Sequence, residues 1–239
     1  IWVSNFLDAT VAAYSPAQLV GGGTPTPVVT LSGSALNDAR GLVFDANGNL
    51  WVAERSLGTV IEYSASQLVD GGNETPNITL SGTAFNGPAG LAFDDSGNLW
   101  VTNSWGGTVV ELTPDQLTAS STPTPAVTIS NSAILAPMGI AFDVNGVMWL
   151  TNPSVPGNTI VGYTATLLNT GGDLAPAYTI TMSGLPGPFG LTFDNSGDMW
   201  VANQLTNTLY EYTSSQTRAG GTPTPTVIIS GVDVNGPEA

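Results

Sequence analysis

The chain has 239 residues, of which 41% are hydrophobic, and this is enough for one sizeable core. Three basic residues, all of them Arg, stand against 18 acidic ones, so the formal net charge is -15. Because phosphate backbones and anionic lipids are held by clustered Lys and Arg, these numbers exclude a nucleic-acid partner and disfavour attachment to a membrane surface.

The chain contains neither Cys nor His. Their absence excludes disulfides, thiolate metal sites and the Ser/His/Asp and Cys/His arrangements of nucleophilic catalysis, and it removes the ligands that transition metals prefer. No apolar run reaches the ~18 residues of a membrane-spanning helix, so membrane insertion is not expected. The low charge and the many Thr, Asn and Gly residues are typical of an exported or cell-surface bacterial protein, with an acidic cytosolic protein as the alternative.

One motif recurs along the chain at a nearly fixed interval. Its tail, IWV, opens the chain at Ile1, and fuller copies follow as FDANGNLWV, FDDSGNLWV, FDVNGVMWL and FDNSGDMWV from Phe44, Phe93, Phe142 and Phe193. The Trp residues of these copies, numbered 2, 51, 100, 149 and 200, are 49, 49, 49 and 51 residues apart. A period of this length is typical of propellers and solenoids. It predicts one domain of five repeats, with boundaries at 1-40, 41-89, 90-138, 139-189 and 190-239.

Each repeat contains four short segments rich in β-branched and aromatic residues. In the third repeat these are GLAFD (90–94), LWVTN (99–103), TVVELT (108–113) and AVTIS (126–130), each bounded by Gly, Pro, Asn or Asp. Segments of this length and composition predict strands, and none is long enough for more than one helical turn. Four strands in ~49 residues, repeated five times, predict an all-β fold, a β-propeller of five four-stranded blades. Because the chain begins inside a second strand, the first blade is expected to lack its innermost strand.

The recurring motif has a structural explanation. The Asp after Phe can accept backbone hydrogen bonds in the turn between the first two strands, and Gly97 can adopt the positive φ of a tight hairpin. Trp100 and its counterparts then supply one large core residue per blade, each worth about 4–6 kcal/mol of buried area. The alternative is a partial EF-hand loop that binds Ca²⁺ adventitiously, but the loop is too short and lacks a Glu at its twelfth position. No other cofactor is expected.

The units GLVFDANGNLWVAE and GLAFDDSGNLWVTN resemble the NHL repeat, and the resemblance extends over the whole chain. They are also similar to blades of streptogramin B lyases and gluconolactonase-like propellers. The resemblance implies the propeller fold and leaves the function open, because such folds serve enzymes, binding proteins and structural modules.

The same resemblance provides a test for catalysis. It implies a catalytic His near a Mg²⁺ site in the lyases, and this chain has no His. It implies a divalent metal held by Glu, Asn and Asp in the channel of the lactonases. The matching positions here are Arg40, Ala89, Met138, Phe189 and Glu238. One carboxylate among five such residues does not form the oxygen-rich site that a hard cation needs.

A second set of candidates closes the second strand of each blade. Its members are Asn5, Glu54, Asn103, Asn152 and Asn203. A ring of five polar side chains can bind a ligand. Alternatively, each side chain caps the loop that leads to the third strand, and this interpretation is favoured.

The loops that join strands two and three share one face of a propeller with the loops that join successive blades. We call this the loop face. It is apolar here, with Phe6, Leu7, Leu57, Phe85, Trp105, Ile134, Met138, Val155, Phe189 and Leu205. Exposed apolar patches larger than a few hundred Å² typically mark interaction sites. Trp105 is the strongest candidate because no other repeat has Trp there, and we expect it to be exposed while the five periodic Trp are buried.

These observations favour a non-catalytic exported binding or assembly module whose loop face contacts a protein or small-molecule partner. The predicted contact residues are Trp105, Phe6, Glu54, Arg40, Asn103, Asn152, Asn203, Phe189 and Glu238. A lyase- or lactonase-like enzyme with a divergent channel metal is one alternative, and a self-assembling subunit of a surface layer or fibre is another. The missing innermost strand also favours a natural polypeptide that extends beyond residues 1–239, or a strand contributed by a partner.

Overall fold

A computed structural model describes residues 1–21, 23–153, 158–182 and 187–231 of the chain. Within these ranges, 21 strands form five sheets, which confirms the predicted all-β propeller of five blades. The helices of the described ranges are short: α1 (Pro16–Gly21), α2 (Gln67–Asp70), α3 (Ala165–Leu168), α4 (Ser214–Ala219) and a 3₁₀ turn at Pro114–Leu117. None of them has the length and hydrophobicity that would let it cross a bilayer.

The strands follow the period that the Trp residues predict. Blade one contains β1 (Trp2–Asn5), β2 (Thr10–Ala13) and β3 (Val29–Ser32). Blade two contains β4 (Ala39–Phe44), β5 (Leu50–Glu54), β6 (Thr59–Tyr63) and β8 (Ile78–Leu80), and the two-residue β7 (Gly72–Asn73) precedes β8 in sequence. Blade three contains β9 (Pro88–Phe93), β10 (Leu99–Asn103), β11 (Thr108–Leu112) and β12 (Val127–Ser130). Blade four contains β13 (Ile140–Phe142), β14 (Met148–Asn152), β15 (Thr159–Tyr163) and β17 (Tyr178–Thr181), with the two-residue β16 (Gly172–Asp173) before β17. Blade five contains β18 (Pro188–Phe193), β19 (Met199–Asn203), β20 (Thr208–Tyr212) and β21 (Val227–Ser230).

Within a blade, successive strands pair antiparallel. In blade three, β10 pairs with β11 from Leu99↔Leu112 to Asn103↔Thr108. All five residues of β10 are buried, as are those of β5 and β14, because these sheets lie between two others. A strand buried on both faces reads as a continuous apolar run, which explains why LWVTN shows no clean alternation.

The outer edge of a blade is covered by backbone from the next repeat. β7 pairs in parallel with β3, β16 pairs in parallel with β12, and single bridges do the same in blades two and four. The paired residues are Leu31↔Gly72, Leu80↔Ser121, Ile129↔Gly172 and Ile180↔Gly221. Within the described residues, blade one therefore has three strands of its own and no innermost one, as predicted, and it takes a fourth strand at its outer edge from the second repeat.

The core lies between successive blades, in four hydrophobic clusters. The Trp of each of the first three blades packs edge-on against the Phe of the next blade, with ring centres 6.4 Å apart for Trp51 and Phe93. In blade four, Trp149 stacks on Tyr178 instead. The periodic Trp of blades two, three and four are at most 2% exposed, as predicted. Trp2 and Trp200 are only half-buried, so the prediction is wrong for these two.

The innermost strands of adjacent blades lie close together. A Cβ atom on Gly90 would be 2.2 Å from the carbonyl oxygen of Met138, so only Gly fits there. Thr102 bridges the same two strands, because its Oγ1 accepts from the Gly90 N–H at 2.7 Å and donates to the Met138 carbonyl at 2.9 Å. Thr151 donates to the Phe189 carbonyl in the same way. Backbone oxygens at the positions that the resemblance assigned to a metal are thus engaged between blades.

Candidate functional site

A cluster of charged residues centres on Asp38, in the loop that enters blade two. Its Oδ1 accepts from Arg40 Nε at 2.7 Å, and its Oδ2 accepts from Arg55 Nε at 2.8 Å and from Ser56 Oγ at 2.9 Å. Burial alone would raise the pKa of Asp38. The bonds from Arg55 and Ser56 and the charges of both arginines outweigh it, so the pKa of Asp38 lies below its usual value. Asp38 is therefore a fixed anion that orients two guanidinium groups.

An aromatic ring lies against each of these guanidinium groups. Arg40 Cζ is 4.0 Å from the centre of the Phe6 ring, and Arg55 Cζ is 5.7 Å from that of Trp105. Both distances are within the ~6 Å range of cation–π attraction. Phe6, Arg40, Asp38, Arg55 and Trp105 thus form a continuous row across blades one, two and three, which we call the arginine row.

Trp105 is the exposed end of the arginine row. It follows the last residue of β10 by two positions, and its backbone N–H donates to the Asn86 carbonyl at 3.2 Å. Its side chain lies over Gly87, where a Cβ atom would be 2.7 Å from the ring and where φ is 68°. Gly87 thus makes room for the indole, which remains 60% exposed, as predicted.

Arg55 retains hydrogen-bonding capacity beside this indole. Its Nε is bonded to Asp38, and its side chain is 24% exposed. Within the ranges that the structure describes, its terminal nitrogens Nη1 and Nη2 donate no hydrogen bond. A guanidinium carries five N–H donors in a planar fork that matches a carboxylate. The geometry therefore lets Arg55 bind a planar anion next to the face of Trp105.

The arginine row is a positive site in an acidic protein. It contains two of the three basic residues of the chain, and the third, Arg218, pairs with Asp143 at 2.8 Å in blade four. Two arginines and one aspartate give the row a formal charge of +1, against -15 for the whole chain. A polyanion would be repelled by the rest of the surface, whereas a ligand with a single negative group would be attracted here.

Glu54 is fully buried beside the arginine row. Its Oε2 accepts from the backbone N–H groups of Asn37 and Asp38 at 2.9 and 3.0 Å, and its Oε1 has no partner among the described residues. Burial is the largest influence on the pKa of Glu54 and raises it, and the nearby charge of Asp38 raises it further. The two backbone hydrogen bonds lower it only in part, so the pKa of Glu54 is about 7. Glu54 is therefore protonated in a large fraction of molecules at neutral pH, and it does not face a ligand.

Asn residues at the position equivalent to Glu54 act as loop caps. Asn103 Nδ2 donates to the Ala84 carbonyl at 3.0 Å and to Thr108 Oγ1 at 3.1 Å. Asn152 and Asn203 make similar bonds to loop groups, and all three are at most 1% exposed. They lie in three different blades. These contacts support the interpretation as caps, and they do not form a ligand ring.

Two further predicted contact residues lie apart from the arginine row. Phe189 is in β18 of blade five, is half-buried, and accepts the Thr151 hydrogen bond through its carbonyl. Glu238 lies outside the described residues.

The structure brings four predicted residues together and adds two. Phe6, Arg40, Glu54 and Trp105 all lie in or beside the arginine row. Asp38 and Arg55, which connect them, were not predicted. A signal for them was present, because the second repeat departs from its neighbours by placing an acidic and a basic residue at loop positions where repeat three has Gly87 and Ser104.

Four other apolar residues in these loops are exposed. They are Leu7, Leu57, Leu135 and Leu205. Phe85 and Ile134, which were also assigned to this face, are buried in the clusters between blades. Val155 lies outside the described residues. The apolar loop face is therefore smaller than the sequence indicates.

A separate group of carboxylates lies in blade five. One carboxylate oxygen from each of Asp194, Asp198 and Glu211 lies within 4.8 Å of the other two. Among the described residues, this is the one acidic cluster with a spacing that could hold a metal ion. Asp194 already accepts from Trp200 Nε1 at 3.2 Å and from the Asp198 N–H at 3.0 Å. Exposed acidic groups of this kind are common without an ion, so no cofactor is assigned to the cluster.

No protein-family model and no curated protein matches the chain. Solved structures do match. Catalytically inactive virginiamycin B lyase from Staphylococcus aureus with quinupristin superposes with a TM-score of 0.62 at 15% identity, over 94% of this chain and 67% of that one. A candidate 6-phosphogluconolactonase from Bacteroides uniformis gives a TM-score of 0.63 at 14% identity, over 96% of this chain and 67% of that one. Hydrazine synthase from Kuenenia stuttgartiensis gives 0.60 at 13% identity, over 80% of this chain and 49% of that one. These likenesses show a fold that serves several unrelated functions.

Proposed function

We propose that this chain is a non-catalytic, exported binding module whose loop face holds an apolar ligand or partner segment carrying one carboxylate. The observation that carries the proposal is the exposed indole of Trp105 beside the terminal nitrogens of Arg55, which donate to no described residue. The indole offers apolar area and the guanidinium offers a bidentate partner for the carboxylate. Asp38 accepts a hydrogen bond from Nε of Arg55 and so holds the guanidinium in place. Arg55 therefore loses little side-chain freedom when it binds a ligand.

Residue chemistry disfavours the enzyme alternative. The virginiamycin B lyase neighbour is inactive in a variant in which a His is replaced by Ala, and these 239 residues contain no His. The side chains at the implied lactonase metal positions include Arg40, Met138 and Phe189, none of which offers an oxygen ligand. Export rests on composition, since only 9% of residues are charged and neither Lys nor Cys is present.

Calorimetric titration with hippurate, a benzoyl group that carries one carboxylate, tests the proposal. About thirteen non-hydrogen atoms at roughly -0.3 kcal/mol each place the expected Kd on the order of 1 mM. The uncharged amide of hippurate is expected to bind roughly tenfold more weakly, because it lacks the charge-assisted bond to Arg55. Arg55→Gln should remove this preference for the acid, and Trp105→Ala should weaken both ligands.

Val144→Ala serves as the matched control, because Val144 is also exposed and apolar but lies in the first hairpin turn of blade four. It should bind hippurate as the unaltered chain does. Equal binding of acid and amide, or equal losses in Val144→Ala and Trp105→Ala, would contradict the proposed site.

A further inference from the structure

The same four residues, Thr-Pro-Thr-Pro, lead into the outermost strand of three blades. We call these stretches the rim segments, and they are residues 24–27 of blade one, 122–125 of blade three and 222–225 of blade five. In every rim segment both Thr residues are exposed and both Pro residues are half-buried. Each rim segment therefore turns two hydroxyl-bearing side chains outward.

A Gln in the short helix or 3₁₀ turn before each rim segment holds the segment in place. In blade three, Gln116 Nε2 donates to the Thr124 carbonyl at 2.6 Å. The Ala126 N–H then donates to the Glu111 carbonyl at 2.9 Å, where the segment joins the sheet. The equivalent Gln bonds join Gln18 to Thr26 and Gln216 to Thr224. Because a residue before Pro is restricted to extended backbone, each rim segment is a fixed, extended stretch.

This local structure uses the Pro rings and the Thr carbonyls, but it does not use the Thr hydroxyls. Within the part of the chain that the structure describes, Oγ1 of Thr122 and Oγ1 of Thr124 make no hydrogen bond. Blade four enters its outermost strand in the same way with Ala175 before Pro176, and its Ala177 N–H donates to a carbonyl at 2.8 Å. The fold therefore does not require a hydroxyl at this position, and the Thr hydroxyls are available for another role.

Another Thr-Pro pair in blade three shows what a structural Thr looks like. Thr113 precedes Pro114 at the start of the 3₁₀ turn, and it is half-buried. Its side chain forms a capping box with Gln116, and its Oγ1 donates to Gln116 Oε1 at 3.4 Å. The hydroxyl of Thr113 is thus engaged within the fold, unlike those of the rim segments.

We propose that the Thr residues of the rim segments are O-glycosylation sites, each of which accepts a neutral hexose from a sugar joined to a diphosphate carrier. Thr Oγ1 forms a bond to the anomeric carbon, and the bond from that carbon to the diphosphate oxygen breaks. The diphosphate leaves with the electron pair, and the hydroxyl proton passes to a base of the transferase. Exposed Thr residues that alternate with Pro are typical of O-glycosylated segments.

Charge and exposure favour a neutral sugar over the other groups that recognise Thr-Pro sequences. A phosphate would add about -2 at each site to a chain of charge -15, and self-repulsion would increase. A sugar adds hydration to a surface on which few residues are charged. A binding domain that reads Pro rings is disfavoured because these rings are half-buried. The choice of a sugar rests in part on the export included in the proposed function.

Mass spectrometry of peptides from the protein purified from its natural source tests the proposal. Cleavage after Asp and Glu separates Thr113 from the rim segment of blade three, because Asp115 lies between them. Thr113 should carry no sugar, and neither should Thr83, which is exposed but precedes Ala. Hexose is expected at six residues: Thr24, Thr26, Thr122, Thr124, Thr222 and Thr224.

Thr122→Ala with Thr124→Ala, produced in the natural host, should remove the sugar from blade three alone. Ala175 shows that a blade forms with Ala at the second of these positions. Thr83→Ala is the matched control, since it removes an exposed Thr outside the rim segments and should leave every hexose in place. No hexose at any of the six residues, phosphate in its place, or equal modification of Thr83 would overturn the proposal.

The glycosylation sites and the proposed binding site can fail separately. The rim segments lie in connections between strands three and four, on the face of the propeller opposite the loop face. Hippurate titration of chain produced in a host without the transferase therefore tests the binding site alone. The peptide masses test the rim segments alone, whatever the outcome of that titration.

Discussion

Trp100 donates its indole N–H to Oδ2 of Asp94 at 3.0 Å, so one carboxylate fixes both a hairpin turn and the core residue that follows it. Oδ1 of Asp94 accepts the backbone N–H groups of Ser96 and Asn98, both at 2.9 Å. The same indole bond joins Trp51 to Asp45, Trp149 to Asp143 and Trp200 to Asp194. The recurring motif is therefore a turn and a core side chain tied together, once for each complete hairpin.

Asp94→Ala should destabilise the fold by about 2–4 kcal/mol, because it leaves several donors of the turn and the buried indole N–H without their acceptor. Asp95→Ala is the matched control, since the neighbouring carboxylate is exposed and should change stability by less than about 0.5 kcal/mol. Urea unfolding followed by Trp fluorescence measures both. Equal effects of the two substitutions would show that the Asp94 bonds contribute little.

The period, the strands and the hairpin turns could be predicted because each depends on particular side chains that recur in the sequence. A Trp every ~49 residues, a Gly in each turn and buried runs such as LWVTN leave direct traces in the sequence. The parallel cover of one blade by the next could not be predicted in the same way. Gly72 and Ser121 contribute backbone groups alone to that pairing, and backbone groups leave no side-chain pattern.

The site was predicted in its members but not in its assembly. Trp105 stood out because it breaks the repeat, and Arg40 because it occupies a position that the resemblance assigns to a metal ligand. The contacts between them run through Asp38 and Arg55, whose placement the period does not specify. The loop-capping Asn residues are the opposite case, because they follow the repeat and have a structural role. Asn103 follows the period, and its hydrogen bonds to the Ala84 carbonyl and to Thr108 explain it without a ligand.

Gly90→Ala should be strongly destabilising, by roughly 3 kcal/mol or more. The added methyl group would lie 2.2 Å from the Met138 carbonyl oxygen, and the two backbones can separate only by breaking the bridge through Thr102. Gly21→Ala is the control, because nothing lies within 4 Å of a Cβ atom there and the residue ends a short helix. That variant should be neutral or slightly stabilising. Thermal unfolding of the two variants compares the sites directly, and a neutral Gly90→Ala would contradict the close contact of the inner strands.

Fluorescence quenching should separate the six Trp residues. Trp105 is exposed and should be quenched first by acrylamide, while Trp51, Trp100 and Trp149 should be the slowest. Trp105→Phe should remove the steepest part of the quenching curve. Iodide adds a test of the arginine row, because the acidic surface repels this anion except beside Arg55. Arg55→Gln should therefore reduce quenching by iodide and leave acrylamide quenching unchanged. The same curve for Trp105→Phe and the unaltered chain would contradict the exposed indole.

Glu54 should make the fold more stable at mildly acidic pH. Its pKa in the folded chain is about 7, above the ordinary value of 4.5, so the folded state binds this proton more tightly than the unfolded state does. The resulting stabilisation is fully present below pH ~4.5 and is lost as the pH rises through 7, and it amounts to roughly 3 kcal/mol at most. Repulsion within a chain of charge -15 acts in the same direction. The pKa values of Asp38 and Asp45 are lowered, so their contributions are lost only as the pH falls through values below 3.8.

We therefore expect Tm to rise between pH 8 and pH 5 and to fall below about pH 4. Glu54→Gln should flatten most of the slope between pH 5 and pH 8, because the amide accepts the same backbone bonds, offers a donor on its other arm and does not titrate. Asp70→Asn removes one negative charge from an exposed position and should leave the slope nearly unchanged, which separates the Glu54 proton from general repulsion. Scanning calorimetry at several pH values measures all three chains. If Glu54→Gln retains the slope, the proton is bound elsewhere, and a Tm that falls steadily from pH 8 to pH 5 would show that the buried carboxyl group stays ionised.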